Sequence, residues 1–164
     1  MVAENRKMIE TSSAAKQFYP NDLEPYQSAY LHGGKAKEQW CIQQVSIDGE
    51  ILQAMVDILN PFSSSTDPGG FHLSVFSSQE FCAELSLFWL FKKLELPCKA
   101  QEAWMRECRC SLRRPIRSRQ NIRVDMKCKS FRVIGGMAYI HARFTVRDSG
   151  DGLFLLEQRG GFRC

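Results

Sequence analysis

The stretch Phe76-Ser77-Ser78-Gln79-Glu80-Phe81-Cys82-Ala83-Glu84-Leu85-Ser86-Leu87-Phe88-Trp89-Leu90-Phe91-Lys92-Lys93-Leu94 decides the architecture. Its polar opening, Ser77-Ser78-Gln79-Glu80, fits a capping box, in which a serine side chain accepts from a free backbone N–H while Glu80 reaches back. From Phe81 to Phe91 only Glu84 and Ser86 interrupt an apolar run that covers nearly every side of a helix. Such a helix is expected to be buried all round. Lys92 and Lys93 close it and complement the negative end of the helix dipole. A buried strand followed by a loop is the competing reading, and the length and the cap favour a helix.

Outward from this helix the chain reads as strands. Before it, residues 40–47 and 50–60 flank Asp48-Gly49, a strong two-residue hairpin signal. In the second of these, Leu52, Ala54, Val56 and Ile58 alternate with Gln53, Met55 and Asp57. Asn60-Pro61 ends it, and residues 61–71 are loop by composition. After the helix, residues 102–112 form a candidate strand with Trp104, Arg106, Cys108, Cys110 and Leu112 on one side. Ile122, Val124, Met126 and Cys128 then alternate with charged neighbours, as do Ala138, Ile140, Ala142, Phe144 and Val146 with Tyr139, His141, Arg143, Thr145 and Arg147. A period of two over such runs means one dry face and one wet face. Gly135-Gly136 joins this pair, and residues 148–152 turn the chain into a last strand over 153–162. Two strands, one buried helix and four strands predict an α+β domain in which a strongly curved antiparallel sheet wraps around one long buried helix.

The length, 164 residues, suits one such domain. Residues 1–39 differ from the rest: polar, with five charges of each sign, and broken by Pro20, Pro25, Gly33 and Gly34. They read as an N-terminal arm with one short helix around 3–18, either partly disordered or a lid or contact to a partner subunit, leaving 40–164 as the folded domain. No stretch is long and apolar enough for a transmembrane helix, and the first residues lack a signal-peptide core, so a soluble cytoplasmic protein with no membrane role is expected. The seven cysteines are irregularly spaced, and the single Cys108-x-Cys110 pair has no second cluster to complete a zinc site. No metal is expected, and the cysteines read as reduced and mostly buried. The net charge of +4 is uneven: residues 40–97 carry two basic and seven acidic side chains, and residues 98–135 eleven basic and three acidic. The basic zone can meet phosphate or an acidic partner as readily as it can form a solvated face.

With the buried helix SSQEFCAELSLFWL, the loop Pro68-Gly69-Gly70-Phe71-His72 before it, Arg113-Arg114-Pro115-Ile116 opening a strand and Arg159-Gly160-Gly161-Phe162 closing the chain, residues 40–162 resemble the hotdog superfamily. Within it they look most like type III acyl-CoA thioesterases and related acyl-thioester dehydratases of lipid and polyketide pathways. The resemblance implies a homodimer or larger homo-oligomer and an acyl-thioester tunnel at the helix start. It implies an acyl-CoA or acyl-carrier-protein substrate and no cofactor. Three activities follow as alternatives: hydrolysis to acid and thiol, dehydration or isomerisation of a 3-hydroxyacyl thioester, or acyl binding without catalysis. The chain departs from the dehydratase pattern, since Leu73-Ser74-Val75 follows His72 where that branch has a Phe-Pro-Gly-type segment.

Glu84, one turn after Glu80 on a helix expected to be buried, is the first candidate for acid–base work, because a buried carboxylate has a raised pKa and clusters at sites. An ion pair with an arginine is its structural alternative. Glu80 is the second candidate, with capping as its alternative. His72 is the third, as a residue that switches between acid and base near neutral pH. Ser77, Ser78 and Gln79 stand where helix N–H groups can polarise a thioester carbonyl. Phe81, Leu85 and Trp89 would line the acyl tunnel. Arg113, Arg114, Arg117 and Arg119 can bind the phosphates of coenzyme A or an acidic carrier. This arginine loop has no interleaved aromatics, so nucleic acid is not an expected partner. His141 and Tyr139 read as solvated. No GxSxG or P-loop is present, which removes serine-hydrolase and nucleotide-hydrolase readings.

Overall fold

A computed structural model describes residues 38–63, 68–97 and 102–163. The expected arm and its short helix lie outside the described residues except for Glu38 and Gln39. The order is β1 (Gln39–Asp48), β2 (Ile51–Asn60), α1 (Val75–Lys93), β3 (Ala103–Arg114), β4 (Ile122–Ile134), β5 (Met137–Arg147) and β6 (Leu153–Arg163). All six strands join one antiparallel sheet in the order β1-β2-β4-β5-β6-β3. Gly49, at φ 57°, makes the β1–β2 turn, a conformation costly for a residue with a Cβ.

The inner face is built by alternation. Leu52, Ala54, Val56 and Ile58 on β2 are buried, as are Ile122, Val124, Met126 and Cys128 on β4 and Ala138, Ile140, Ala142, Phe144 and Val146 on β5. Phe81, Cys82, Leu85, Trp89 and Leu90 of α1 complete this core. The outer face is charged. Glu157 pairs with His141 and Arg143, Arg159 with Glu107, and Asp125 with Arg123 and Arg147.

The strongly curved, wrapping sheet expected from the sequence is not what forms. The sheet is open: β1 and β3 are its two edges, and no ladder joins them. The helix lies on one face, against β1, β3, β5 and β6. Six strands about 4.8 Å apart are wider than a helix about 10–12 Å across, so they cover its inner side without closing around it. Its outer side stays exposed, with Phe76 51% and Phe88 38% accessible. The helix is therefore one-sided, and its periodicity is hidden in the sequence because its exposed face is also apolar. The expected alternation along β3 is broken as well, by irregularities at Met105/Glu107 and Leu112/Arg114.

Candidate functional site

The helix begins one turn earlier than its serines suggest. Ser74, in an extended conformation, is the N-cap, and its side chain accepts from the Ser77 backbone N–H. The expected box of Ser77 with Glu80 does not form. Ser77 instead joins Ser74 in donating to Glu38, at 2.5 and 2.7 Å from Oε2. Glu38 is only 2% exposed, and its Oε1 has no partner among the described residues. Ser78, also buried, donates to the Val75 carbonyl. The Ser77 and Ser78 backbone N–H groups are both occupied by Ser74, so the serines build the cap and do not open an oxyanion site there.

Freed from capping, Glu80 turns to the outer side of α1, where Trp40 Nε1 of β1 donates to its Oε2 at 3.2 Å. Glu84 follows one turn later and is exposed, which corrects the expectation of a buried carboxylate. Both line a groove of about 670 Å³ whose other walls include Trp40, Leu87, Phe88 and Phe91. Trp40 is fixed in turn by edge-on packing against Phe81, with ring centres 6.0 Å apart. Lys92 lies on the same wall, and two carboxylates in such a groove can take a proton from water or give one to a leaving group.

The remaining candidates fall elsewhere. Phe81, Leu85 and Trp89 sit in the core rather than on a tunnel; Trp89 donates to the Gly49 carbonyl and packs edge-on against Phe131. His72 is half-buried in the loop before α1 and is not part of the groove wall. Arg117 is engaged structurally, its guanidinium donating to the Pro68 and Phe71 carbonyls, and Arg119 lies over the Phe71 ring. Asp148 anchors this loop through the Arg117 and Ser118 N–H groups. Burial alone would raise the Asp148 carboxyl, but backbone N–H groups of Arg117, Ser118, Gly152 and Gly150 outweigh it and hold it below its ordinary value. Arg113 and Arg114 are exposed at the end of β3. His141 is not simply solvated, since it meets Glu157 at 2.6 Å, and Tyr139 lies under Arg106.

Among the described residues Cys41, Cys82, Cys108, Cys110 and Cys128 are free thiols. Burial pushes the Cys82 thiol well above its ordinary value, and nearby Cys108 and Cys110 add to the effect. Such a thiol stays protonated and is a poor nucleophile. Three further residues matter that the sequence does not single out: Glu38, in the expected arm, Trp40, at the start of an expected strand, and Gln158, in the last strand. Gln158 sits on the inner face in phase with Phe154 and Leu156, and donates to the Gln79 carbonyl at 3.0 Å. Its one sequence signal is a polar residue at an inward position of an alternating strand.

The element order, the strand order and a single helix on one face define an α+β hotdog-like fold with a carboxylate-bearing groove on the helix. The sequence matches no protein-family model and no curated protein. Among solved structures it is similar to a mutant thioesterase from Pseudomonas aeruginosa, at 16% identity and a TM-score of 0.45 over 90% of this chain and 96% of that one. It is similar to an acyl-CoA thioesterase II from Mycobacterium marinum, at 16% identity and a TM-score of 0.49 over 76% of this chain and 48% of that one. A thioesterase from Haemophilus influenzae aligns at 12% identity and a TM-score of 0.38 over 90% and 92%.

Proposed function

We propose that the protein hydrolyses an acyl thioester in the groove on the outer side of α1, with Glu80 as the base and Glu84 as its partner. The observation that carries this reading is the pair of carboxylates one helical turn apart on a mostly apolar wall that also includes Lys92, one of them held by Trp40. Glu80 takes a proton from water as the water oxygen attacks the carbonyl carbon. The tetrahedral intermediate then expels the thiolate, which receives that proton, leaving free acid and thiol. The apolar walls take the acyl chain, and a groove of this size is in the range of small-molecule sites.

In this reading the acyl group arrives on coenzyme A or an acyl carrier protein. Arg113, exposed at the end of β3, is available for phosphate contact, with Arg114 beside it pairing with Asp151 at 3.9 Å. The working form is a homodimer. The site of action is the cytoplasm, a reducing compartment in keeping with five free thiols among the described residues.

The test is thiol release over a panel of acyl-CoA and acyl-carrier thioesters, with product masses read alongside. Free thiol together with free acid is the expected result. Glu80→Gln is expected to lower kcat at least a hundredfold, as loss of a general base does, and Glu84→Gln by about tenfold, with fold verified by circular dichroism. Wild-type turnover retained in both variants would end this mechanism. Loss of water from a hydroxyacyl probe without thiol release would replace it with a dehydratase.

A further inference from the structure

On the β3 side of α1 lies a second, smaller crevice of about 90 Å³. Its lining includes Ala83, Leu87, Trp104, Met105 and Ile140, all apolar, together with Ser86 and Gln158. These two are 6% and 4% exposed, and each has an atom without a partner among the described residues: Ser86 Oγ and Gln158 Oε1. The orientation of the Gln158 amide is fixed by chemistry, since the atom facing the Gln79 carbonyl must be the N–H donor. Oε1 is therefore a buried acceptor without a donor among the described residues, which is unfavourable. Ser86 can donate and accept. Ala83 and Leu87 line both this crevice and the groove that holds Glu80 and Glu84, so the two depressions share a wall.

We propose that this crevice binds the end of a short acyl chain bearing a hydroxyl group, with the hydroxyl donating to Gln158 Oε1 and accepting from Ser86. The substrate class is then a short hydroxyacyl thioester, an assignment that rests on the hydrolase reading for the position of the thioester beside the carboxylates. The crevice is far smaller than the neighbouring groove, about 90 against about 670 Å³, which suits a short chain end. A purely hydrocarbon end would leave both polar atoms unsatisfied. A site built to hydrogen-bond a hydroxyl discriminates strongly against the analogue that lacks it. Gly160 keeps the crevice floor at backbone level, since a Cβ there would come within 2.7 Å of the Trp104 carbonyl oxygen.

The experiment compares S-butyryl-, S-3-hydroxybutyryl- and S-4-hydroxybutyryl-pantetheine in wild type, Ser86→Ala and Gln158→Leu. The better hydroxyacyl probe is expected to exceed butyryl in kcat/KM by about tenfold or more, the worth of one hydrogen bond at about 1.4 kcal/mol. Each variant is expected to bring that ratio to within about twofold of one. Ser86→Ala keeps the Gln158–Gln79 bond, so the test stands even if Gln158→Leu does not fold. A wild-type ratio near one for both hydroxyl positions, or a ratio that survives Ser86→Ala, overturns the proposal. Calorimetry with the matching non-hydrolysable thioethers separates the two readings. A hydroxyl-dependent affinity lost in Ser86→Ala, without turnover of any thioester, would uphold the crevice and remove the hydrolase. Turnover without hydroxyl preference would do the reverse, and neither binding nor turnover would overturn both.

Discussion

At the scale of single residues, the molecule turns on where each carboxylate finds its donor. Glu38 takes two serine hydroxyls at the helix start, which leaves Glu80 to the Trp40 indole and to the groove. Trp40 is thus a positioning residue in the proposed reaction, and Trp40→Phe isolates that role by keeping most of the edge-on packing against Phe81 while deleting the N–H. A hydrogen bond to a charged acceptor is worth about 1.5–3 kcal/mol. Its loss is expected to lower kcat by about tenfold with little change in KM, because the carboxylate is then no longer held in place. A change in KM alone would assign Trp40 to substrate packing instead. Little of this pairing could be read in the sequence. Glu38 and Ser74 are 36 residues apart and Trp40 and Glu80 are 40 apart, and local pattern carries no information on contacts at that distance. Glu80 and Glu84 were visible as the acids of an apolar helix, but which of them was exposed was not.

At the scale of elements, β2, β4 and β5 were legible because strict alternation is a direct image of a one-sided sheet, and the structure preserves it nearly residue for residue. β3 was not, because its irregularities shift residues between faces without altering composition. The start of α1 was misplaced because three serines, Ser74, Ser77 and Ser78, compete for the cap, and Val75 and Phe76 look equally at home in a loop. Since Ser74 both caps the helix and donates to buried Glu38, Ser74→Ala removes more than an ordinary cap. Loss of an N-cap costs about 1 kcal/mol, and a weakened partner set for a buried carboxylate adds to it. A destabilisation of about 2 kcal/mol in urea unfolding is expected. Ser78→Ala is expected to cost less than half as much, since its hydroxyl only returns to the Val75 carbonyl. Equal costs would show that the cap has been placed one turn too early.

At the scale of the whole molecule, an open sheet has consequences that a closed one would not. Its outer face is a ladder of charge, which suits water better than a partner. Exposed apolar side chains gather at the β3 edge, as Trp104, Met105 and Leu112, and free edges invite pairing. A homodimer joined along β3 is the expected assembly. Light scattering should give about twice the chain mass, falling to one chain in Trp104→Glu with Leu112→Glu; a monomer in the wild type at all concentrations would remove it. The pH dependence of stability follows from groups spread over the same sheet. Asp125 is raised by burial but lowered more by Arg123, Gln53 and Arg147, and Asp148 ends up lowered in the same way by backbone donors. A depressed carboxylate contributes stability that is complete above its unfolded value, 3.8 for both, and is lost as pH falls through the lower folded value. The thiols act in the opposite sense. Burial raises Cys82, Cys108, Cys110 and Cys128 above 9.0, so the folded state keeps protons that the unfolded state releases. Their contribution is complete below 9.0 and is lost as pH rises through the folded values. Stability should therefore be level across neutral pH, fall below about pH 4 and fall again above about pH 9. Asp148→Asn should flatten the acid limb and Cys82→Ala the alkaline one, each at a lower plateau. Limbs that keep their slopes in these variants would mean that other groups set the window.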